Sequence, residues 1–373
     1  MISMHALSRF FRVTFMLRVI IITHYSLFIT NYTASAQLLT LVELNCENFF
    51  DCRHDSLKQD TEWLPASARK WTPSRYWRKV NSIGQVILSC QEEGVPDLVA
   101  LVEVENDSCL FDLTRRSLLR HAGYEYLMTQ SPDVRGIDVA LLYQPMSFRP
   151  LCYDYLDVEP LPDMRPTRDI LYVQGETLNG DTLHVFVVHA PSRYGGERPT
   201  RPNRLRVMQR IVRVVSLLPS QAKVIVAGDF NDYADSPSLQ FMEQHGLHNV
   251  SRGARGTHGA EGTYRYAGEW ESIDHVLVSP SLRDCVNAVF VNDAPFLLED
   301  DKKYGGVKPL RTFNGYHYLQ RLSLPARLQR PSPPGRPLPF YRLNTRCPII
   351  FFSNRYLFPI FFRIFAAKRL QMQ

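Results

Sequence analysis

The chain has 373 residues, 45% of them hydrophobic and 12% aromatic, which supplies a core and excludes a wholly disordered protein. Its 43 Lys+Arg against 37 Asp+Glu give a formal net charge of +6, but that charge is segregated. Residues 319–373 carry ten cations and residues 1–36 carry Arg9, Arg12 and Arg18, both without an acid, so residues 37–318 hold 30 bases against 37 acids. An acidic body excludes a nucleic-acid or membrane module built on net charge, and leaves that reading to the tail alone.

Residues 1–36 join basic residues to an apolar run, Val19–Ile22 through Leu27–Ile29, and close on Ala34-Ser35-Ala36. This pattern predicts a secretory signal peptide cleaved after Ala36, and an exported protein, periplasmic or secreted. Leu38–Leu44 then reads as an apolar strand ending in Asn45, and residues 52–74 as a long polar loop. Apolar residues at helical spacing predict a helix over Ser74–Glu93, with Ser74 as N-cap. Pro96-Asp97 breaks it, and Leu98–Val104 is a buried strand. Asp112–His121 reads as helix, and Tyr124–Met128 and Ile137–Tyr143 as strands. Asp169–Glu176 and Thr182–His189 form a hairpin across Asn179-Gly180. Arg201–Leu218 is a basic amphipathic helix, Lys223–Ala227 an apolar strand entering Gly228-Asp229-Phe230-Asn231, and Ser272–Ser279 a further strand. Strands mixed with crossover helices indicate α/β or α+β architecture with mixed sheets. The seven cysteines show no metal-site spacing and read mainly as small buried hydrophobes.

Polar residues recur where the apolar strands end: Asn45, Glu103, His189, Asp229, Asn231 and Asp274. Strand ends hold side chains rigidly, and this set of hard oxygens with one imidazole suits a Mg²⁺-type site handling phosphate. Taken singly, several of these residues have plainer readings. Asn45 suits a turn, Glu103 beside Glu105 a solvated strand end, and His189 before Ala190-Pro191 the mere end of a strand. Asp274 lies within a strand, where an unpaired carboxylate is costly, so it is expected to have a partner. Arg193, in a loop with Gly195-Gly196, and Arg135, beside Gly136, are candidate phosphate contacts. Arg193, Arg198, Arg201, Arg204 and Arg206 together are candidates for a local basic rim.

Six segments in succession resemble the endonuclease/exonuclease/phosphatase superfamily, in its exported bacterial branch: Glu43–Asp51, Pro96–Val104, Arg135–Tyr143, Val187–Arg193, Gly228–Asn231 and Ser272–Ser279. The resemblance covers roughly residues 38–318. It implies a four-layer sandwich, two mixed β-sheets packed face to face with helices outside. It also implies Mg²⁺-dependent hydrolysis of a phosphoester, with Mn²⁺ as a second suitable ion. On this resemblance Asn45 and Glu103 hold the metal. Asp229 orients or deprotonates the attacking water, with Asn231 as its amide partner at the phosphate. His189 donates to the phosphoryl oxygen, and Asp274 orients a second, C-terminal histidine. The substrate is a phosphoester of a nucleic acid, phospholipid or sugar; no protein partner is indicated, and a monomer is expected.

The resemblance stops after Tyr318. The superfamily pattern closes with Ser-Asp-His-x-Pro and a final core strand, and no Ser-Asp-His follows here. The simplest account is a reading-frame change near Leu319–Gln320. Three domains are therefore expected: the signal peptide over 1–36, the enzyme-like domain over 37–318, and an aberrant Arg/Pro/Phe-rich tail over 319–373, disordered, with the final strand lost. Loss of the histidine predicts impaired activity, unless His275 or His317 substitutes for it. The alternative is a non-catalytic remnant or binding protein on the same fold.

Overall fold

The computed structural model describes residues 38–310 and 323–329. In chain order the strands are β1 (Leu38–Phe49), β2 (Leu98–Val104), β3 (Glu125–Met128), β4 (Asp138–Tyr143), β5 (Phe148–Leu156), β6 (Ile170–Thr177), β7 (Thr182–His189), β8 (Lys223–Asp229) and β9 (His248–Asn249). They continue with β10 (Tyr264–Tyr266), β11 (Glu269–Glu271), β12 (Asp274–Val278), β13 (Val286–Val289), β14 (Leu298–Asp300), β15 (Val307–Pro309) and β16 (Leu324–Gln329). The helices are α1 (Pro73–Ser89), α2 (Asp107–Arg115), α3 (Glu197–Val215), α4 (Pro237–Gln244) and the short α5 (Pro280–Arg283).

Two six-stranded sheets run in the orders β13-β16-β1-β2-β4-β3 and β5-β6-β7-β8-β12-β9. Each is mixed: β1 pairs parallel with β2, and β7 with β8, while the other pairs in both sheets are antiparallel. Alternation along the strands divides their residues between two layers. Leu39, Leu41, Ala100, Val102, Val139 and Leu141 of the first sheet meet Val173, Val185, Val187, Ile225, Ala227 and Val276 of the second. The opposite face of the first sheet, with Val42, Leu44 and Val99, packs on Val80, Ile83 and Ile87 of α1 and Leu110 and Leu113 of α2. The outer face of the second, with Tyr172, Phe186 and Val226, packs on Val207, Met208 and Ile211 of α3 and Leu239 and Met242 of α4. The result is the expected four-layer sandwich. No helix among the described residues is long and apolar enough to cross a membrane.

Three expectations need correction. The first helix runs Pro73–Ser89 with Thr72 at the N-cap position, so Ser74 lies inside its first turn rather than capping it. The second helix covers Asp107–Arg115, not Asp112–His121, because the Asn106 side chain caps it by accepting the Cys109 backbone N–H at 3.0 Å. The final strand is not lost. β16 lies inside the segment expected as tail, between β13 and β1, with Ala326 and Leu328 buried. The sheet thus extends past the expected boundary at 318, while the rest of the tail and residues 1–36 lie outside the described residues. Cys46, Cys90 and Cys109 are buried free thiols, as expected of small buried residues, whereas the free thiols Cys52 and Cys285 are only half-buried.

One acid at the start of β6 sets a pH dependence. Burial, then the negative charges of Asp138, Asp157 and Asp154, push the Asp169 carboxyl up from 3.8 to about 6. The folded state therefore holds this proton more tightly than the unfolded chain. As pH rises from about 3.8 to about 6 the unfolded chain ionises first, stability falls, and the penalty persists above that window. Asp169→Asn is expected to raise the melting temperature at pH 8 and to leave it nearly unchanged at pH 3.5, as read by thermal denaturation.

Candidate active site

The inward register of four strands delivers four of the six candidate residues to one end of the sandwich. On β1 the inward positions run Leu39, Leu41, Glu43, Asn45; on β7 they run Leu183, Val185, Val187, His189. On β8 they run Ile225, Ala227, Asp229, and on β12 they start at Asp274 and continue to Val276 and Val278. His189 is in register with Asp229, and Asp229 with Asp274.

Glu103 arrives by a different route. Val102 faces the inner layer, so regular alternation would turn Glu103 toward the helices. The β2–β4 pairing slips between Val102 and Val104, and Glu103 takes a left-handed φ of 62°. This bulge re-aims the side chain into the site. Asn231, just past β8, is likewise left-handed at φ 51°.

These groups are tied together. The Asn45 side-chain amide donates to Asp229 Oδ2 at 3.0 Å, and the Asn231 backbone N–H donates to Asp229 Oδ1 at 2.8 Å. His189 Nε2 lies 3.7 Å from both Glu103 Oε1 and Asp229 Oδ2. The Asn48 backbone N–H donates to Glu103 Oε2 at 2.8 Å. Asn231 Nδ2 donates to the Ala190 carbonyl at 3.0 Å, which fixes its loop to the residue after His189. Asp229, Asp274, Asn45 and His189 are all buried. Asp274 has the partner its position demanded: Thr263 Oγ1 donates to its Oδ2 at 2.6 Å.

The cations divide into two sets. Arg135 donates to Asn48 Oδ1 at 2.6 Å and stands 3.9 Å from Glu103 Oε2. Beside it, and unforeseen, Arg168 pairs with Asp133 at 2.8 Å, both buried. Burial lowers the Arg168 pKa and neighbouring Arg135 adds to the fall, while Asp133, Glu103 and Asp229 oppose it. Nothing in Thr167-Arg168-Asp169 distinguished this arginine from a surface one. Arg193 instead lies 4.0 Å over the Tyr233 ring and donates to Tyr264 Oη at 3.1 Å, one residue from Thr263. The broader basic rim is largely neutralised: Arg204 is buried on Asp232, Arg201 pairs with Glu197, and Arg206 with Glu159.

His275 does not substitute for the C-terminal histidine. Adjacent to Asp274, it points to the opposite face, where Nε2 bonds the Asp232 carbonyl at 2.9 Å and Nδ1 lies 3.2 Å from Asn249 Nδ2. Burial lowers its pKa and favours the neutral ring. His317 lies outside the described residues. Ser323 immediately precedes β16, whose first residues are Leu324-Pro325, so a serine stands before x-Pro where the superfamily pattern has histidine. That serine is buried, with Oγ 3.4 Å from Cys90 Sγ.

Among the described residues no group of three or more His, Cys, Asp or Glu side chains is set to hold a metal ion. A Mg²⁺ site does not need one: the ion favours one or two carboxylates with waters and substrate oxygens. Glu103, pinned through Oε2 with Oε1 3.7 Å from His189, and Asn45 Oδ1, which accepts one N–H from Glu47 and keeps a second lone pair, offer an all-oxygen donor set beside Asp229. The residues present fit that ion.

No curated protein matches the sequence. Several solved structures share the fold. An endonuclease/exonuclease/phosphatase from Bacteroides vulgatus is 16% identical, with a TM-score of 0.54 over 79% of this chain and 100% of its own. A mannosyl-6-phosphatase from Bacteroides thetaiotaomicron is 15% identical, with a TM-score of 0.53 over 77% and 98%. A humanized D. rerio TDP2 is 14% identical, with a TM-score of 0.51 over 79% and 99%. The sequence model of the endonuclease/exonuclease/phosphatase family matches residues 40–325, which includes every candidate residue and the start of β16. The chain belongs to the endonuclease/exonuclease/phosphatase family.

Proposed function

We propose that the protein is an exported, Mg²⁺-dependent hydrolase of phosphoesters, a phosphodiesterase, nuclease or phosphatase, with turnover lowered by the loss of the second histidine. One observation carries the reading. Two carboxylates, Glu103 and Asp229, flank a single imidazole nitrogen at the mouth of a rigid sandwich, each pinned by backbone N–H groups.

Asn45 and Glu103 would hold the ion, for which Mn²⁺ also qualifies. When bound, it supplies Lewis-acid polarisation of a phosphoryl oxygen. Asp229 accepts the proton of the attacking water, and the donors from Asn231 and Asn45 fix which lone pairs remain for that task. His189 Nε2 donates to the phosphoryl oxygen as negative charge develops there, and Asn231 orients the phosphate beside it. Arg135, Arg168 and Arg193 add positive potential to a site whose carboxylates would otherwise repel an anion. The lost histidine leaves Asp274 without the imidazole it would orient and the site without its second donor, a deficit on the order of 10²–10⁴ in rate.

The mannosyl-6-phosphatase among the structural relatives falls within the proposed range of activity, and at 15% identity it supports the fold alone. The departure after Tyr318 favours the alternative, a binding protein on the same fold, which predicts phosphate binding without turnover. Turnover by the unaltered chain separates the two, and Glu103→Ala then tests the metal site. A hydrolase is expected to need about tenfold or more Mg²⁺ for half-maximal rate after this change. A rate and metal dependence equal to the unaltered chain would remove Glu103 from the site.

A further inference from the structure

A lysine that no step above uses stands behind the metal-binding edge. Lys79 of α1 has no exposed surface, although lysine is among the residues least often buried. Its Nζ donates to the Glu47 carbonyl at 2.6 Å. Glu47 and Asn48 are consecutive non-glycine residues in the left-handed region, at φ 51° and 63°. The left-handed region is unfavourable for a non-glycine residue, Glu47 above all, so the turn needs contacts that hold it.

What that turn presents is the metal edge. The Glu47 N–H donates to Asn45 Oδ1 at 2.7 Å, and the Asn48 N–H donates to Glu103 Oε2 at 2.8 Å. Asn48 Oδ1 also receives Arg135. A single strained turn therefore orients both candidate ligands, and a buried ammonium anchors it from the helix layer.

We propose that Lys79 is a positioning residue for the divalent metal: it clamps the Glu47–Asn48 turn and so sets Asn45 and Glu103 in ligand geometry. This rests on the proposed metal-dependent function, but the clamp itself is a property of the metal-free chain. Outer contacts of this kind are typically worth 10–100-fold in metal affinity.

The test uses Lys79→Met, which keeps length and volume, and two readouts. Amide hydrogen exchange on the metal-free protein is expected to speed up at least tenfold at Glu47 and Asn48, with the central strands β7 and β8 unchanged. Calorimetric titration with Mg²⁺ alone is expected to show affinity weakened 10–100-fold. Glu47→Gly added to Lys79→Met is expected to recover several-fold of that loss, because glycine adopts positive φ without steric penalty. Unchanged exchange at both amides, or affinity within twofold of the unaltered chain, overturns the proposal. If Lys79→Met does not fold, Lys79→Gln carries the same readouts, and failure of both to fold makes Lys79 a folding residue and overturns its positioning role. Absence of Mg²⁺ binding by the unaltered chain removes the proposed function instead, while the exchange measurement still tests the clamp.

Discussion

Gly228→Ala is expected to cost about 4 kcal/mol or more and to lower the melting temperature by roughly 10 °C, the largest stability effect of any single methyl group added at the site. Gly228 sits at φ 146°, and a Cβ there would lie 1.9 Å from the Val188 carbonyl oxygen. That oxygen is main chain in β7, paired in register with Gly228, and cannot swing aside. The strands would have to part where His189 and Asp229 face each other. Gly94→Ala supplies the control. It too has positive φ, at 77°, but nothing lies within 4 Å of the added atom. Its expected cost is about 1 kcal/mol, from backbone strain alone. Urea denaturation of the two variants measures the difference. Equal costs would mean that the β7–β8 approach is looser than the structure shows.

Asp229→Asn is expected to lower kcat by roughly 10³-fold or more while leaving the near-ultraviolet circular dichroism intact. The substitution keeps the shape but removes the base. It also sets an amide against the Asn45 amide that now donates to Oδ2, so one of two converging donors loses its acceptor. The main-chain bond from Asn231 to Oδ1 survives in one amide orientation, which is why the fold is expected to persist. Steady-state kinetics on the purified variant read the effect. Activity retained at the level of the unaltered chain would take Asp229 out of the reaction.

Much of this site was legible in the strands themselves. Even spacing from Leu39 and Leu41 to Asn45, from Val185 and Val187 to His189, and from Ile225 and Ala227 to Asp229 marks polar residues continuing an apolar inner face. That continuation explains why the strand-end residues meet. Glu103 breaks the rule, since its place follows from a bulge and a left-handed backbone that spacing does not encode. Lys79 and Arg168 were not singled out because a buried cation looks, in sequence, like any surface one; only their bonds to the Glu47 carbonyl and to Asp133 distinguish them. Asn106 is a favoured capping residue type, so the start of α2 was within reach of sequence reasoning.

The loss of the final strand was expected from the missing Ser-Asp-His and the acid-free Arg/Pro composition after Tyr318, and neither forbids a strand. Pro325 and Arg327 are themselves unusual in an interior strand, since proline gives no N–H to a ladder. In β16 proline is the second residue, opposite Val42, and its carbonyl accepts the Phe290 N–H at 3.2 Å. Arg327 stacks its guanidinium 5.3 Å over the Phe290 ring. A proline at the strand entrance and an arginine held on an aromatic ring are both compatible with an interior position. The segment therefore completes the sheet although it lacks the Ser-Asp-His of the superfamily pattern.

The measurement that bears most directly on the account is release of p-nitrophenol from p-nitrophenyl phosphate and from bis(p-nitrophenyl) phosphate by the full chain. Each is followed with Mg²⁺, after chelation by EDTA, and after Mg²⁺ is returned. The account predicts slow release from at least one of the two above the buffer rate, abolished by EDTA and restored by Mg²⁺. Release that continues unchanged in EDTA, or no release from either with the metal present, would contradict it.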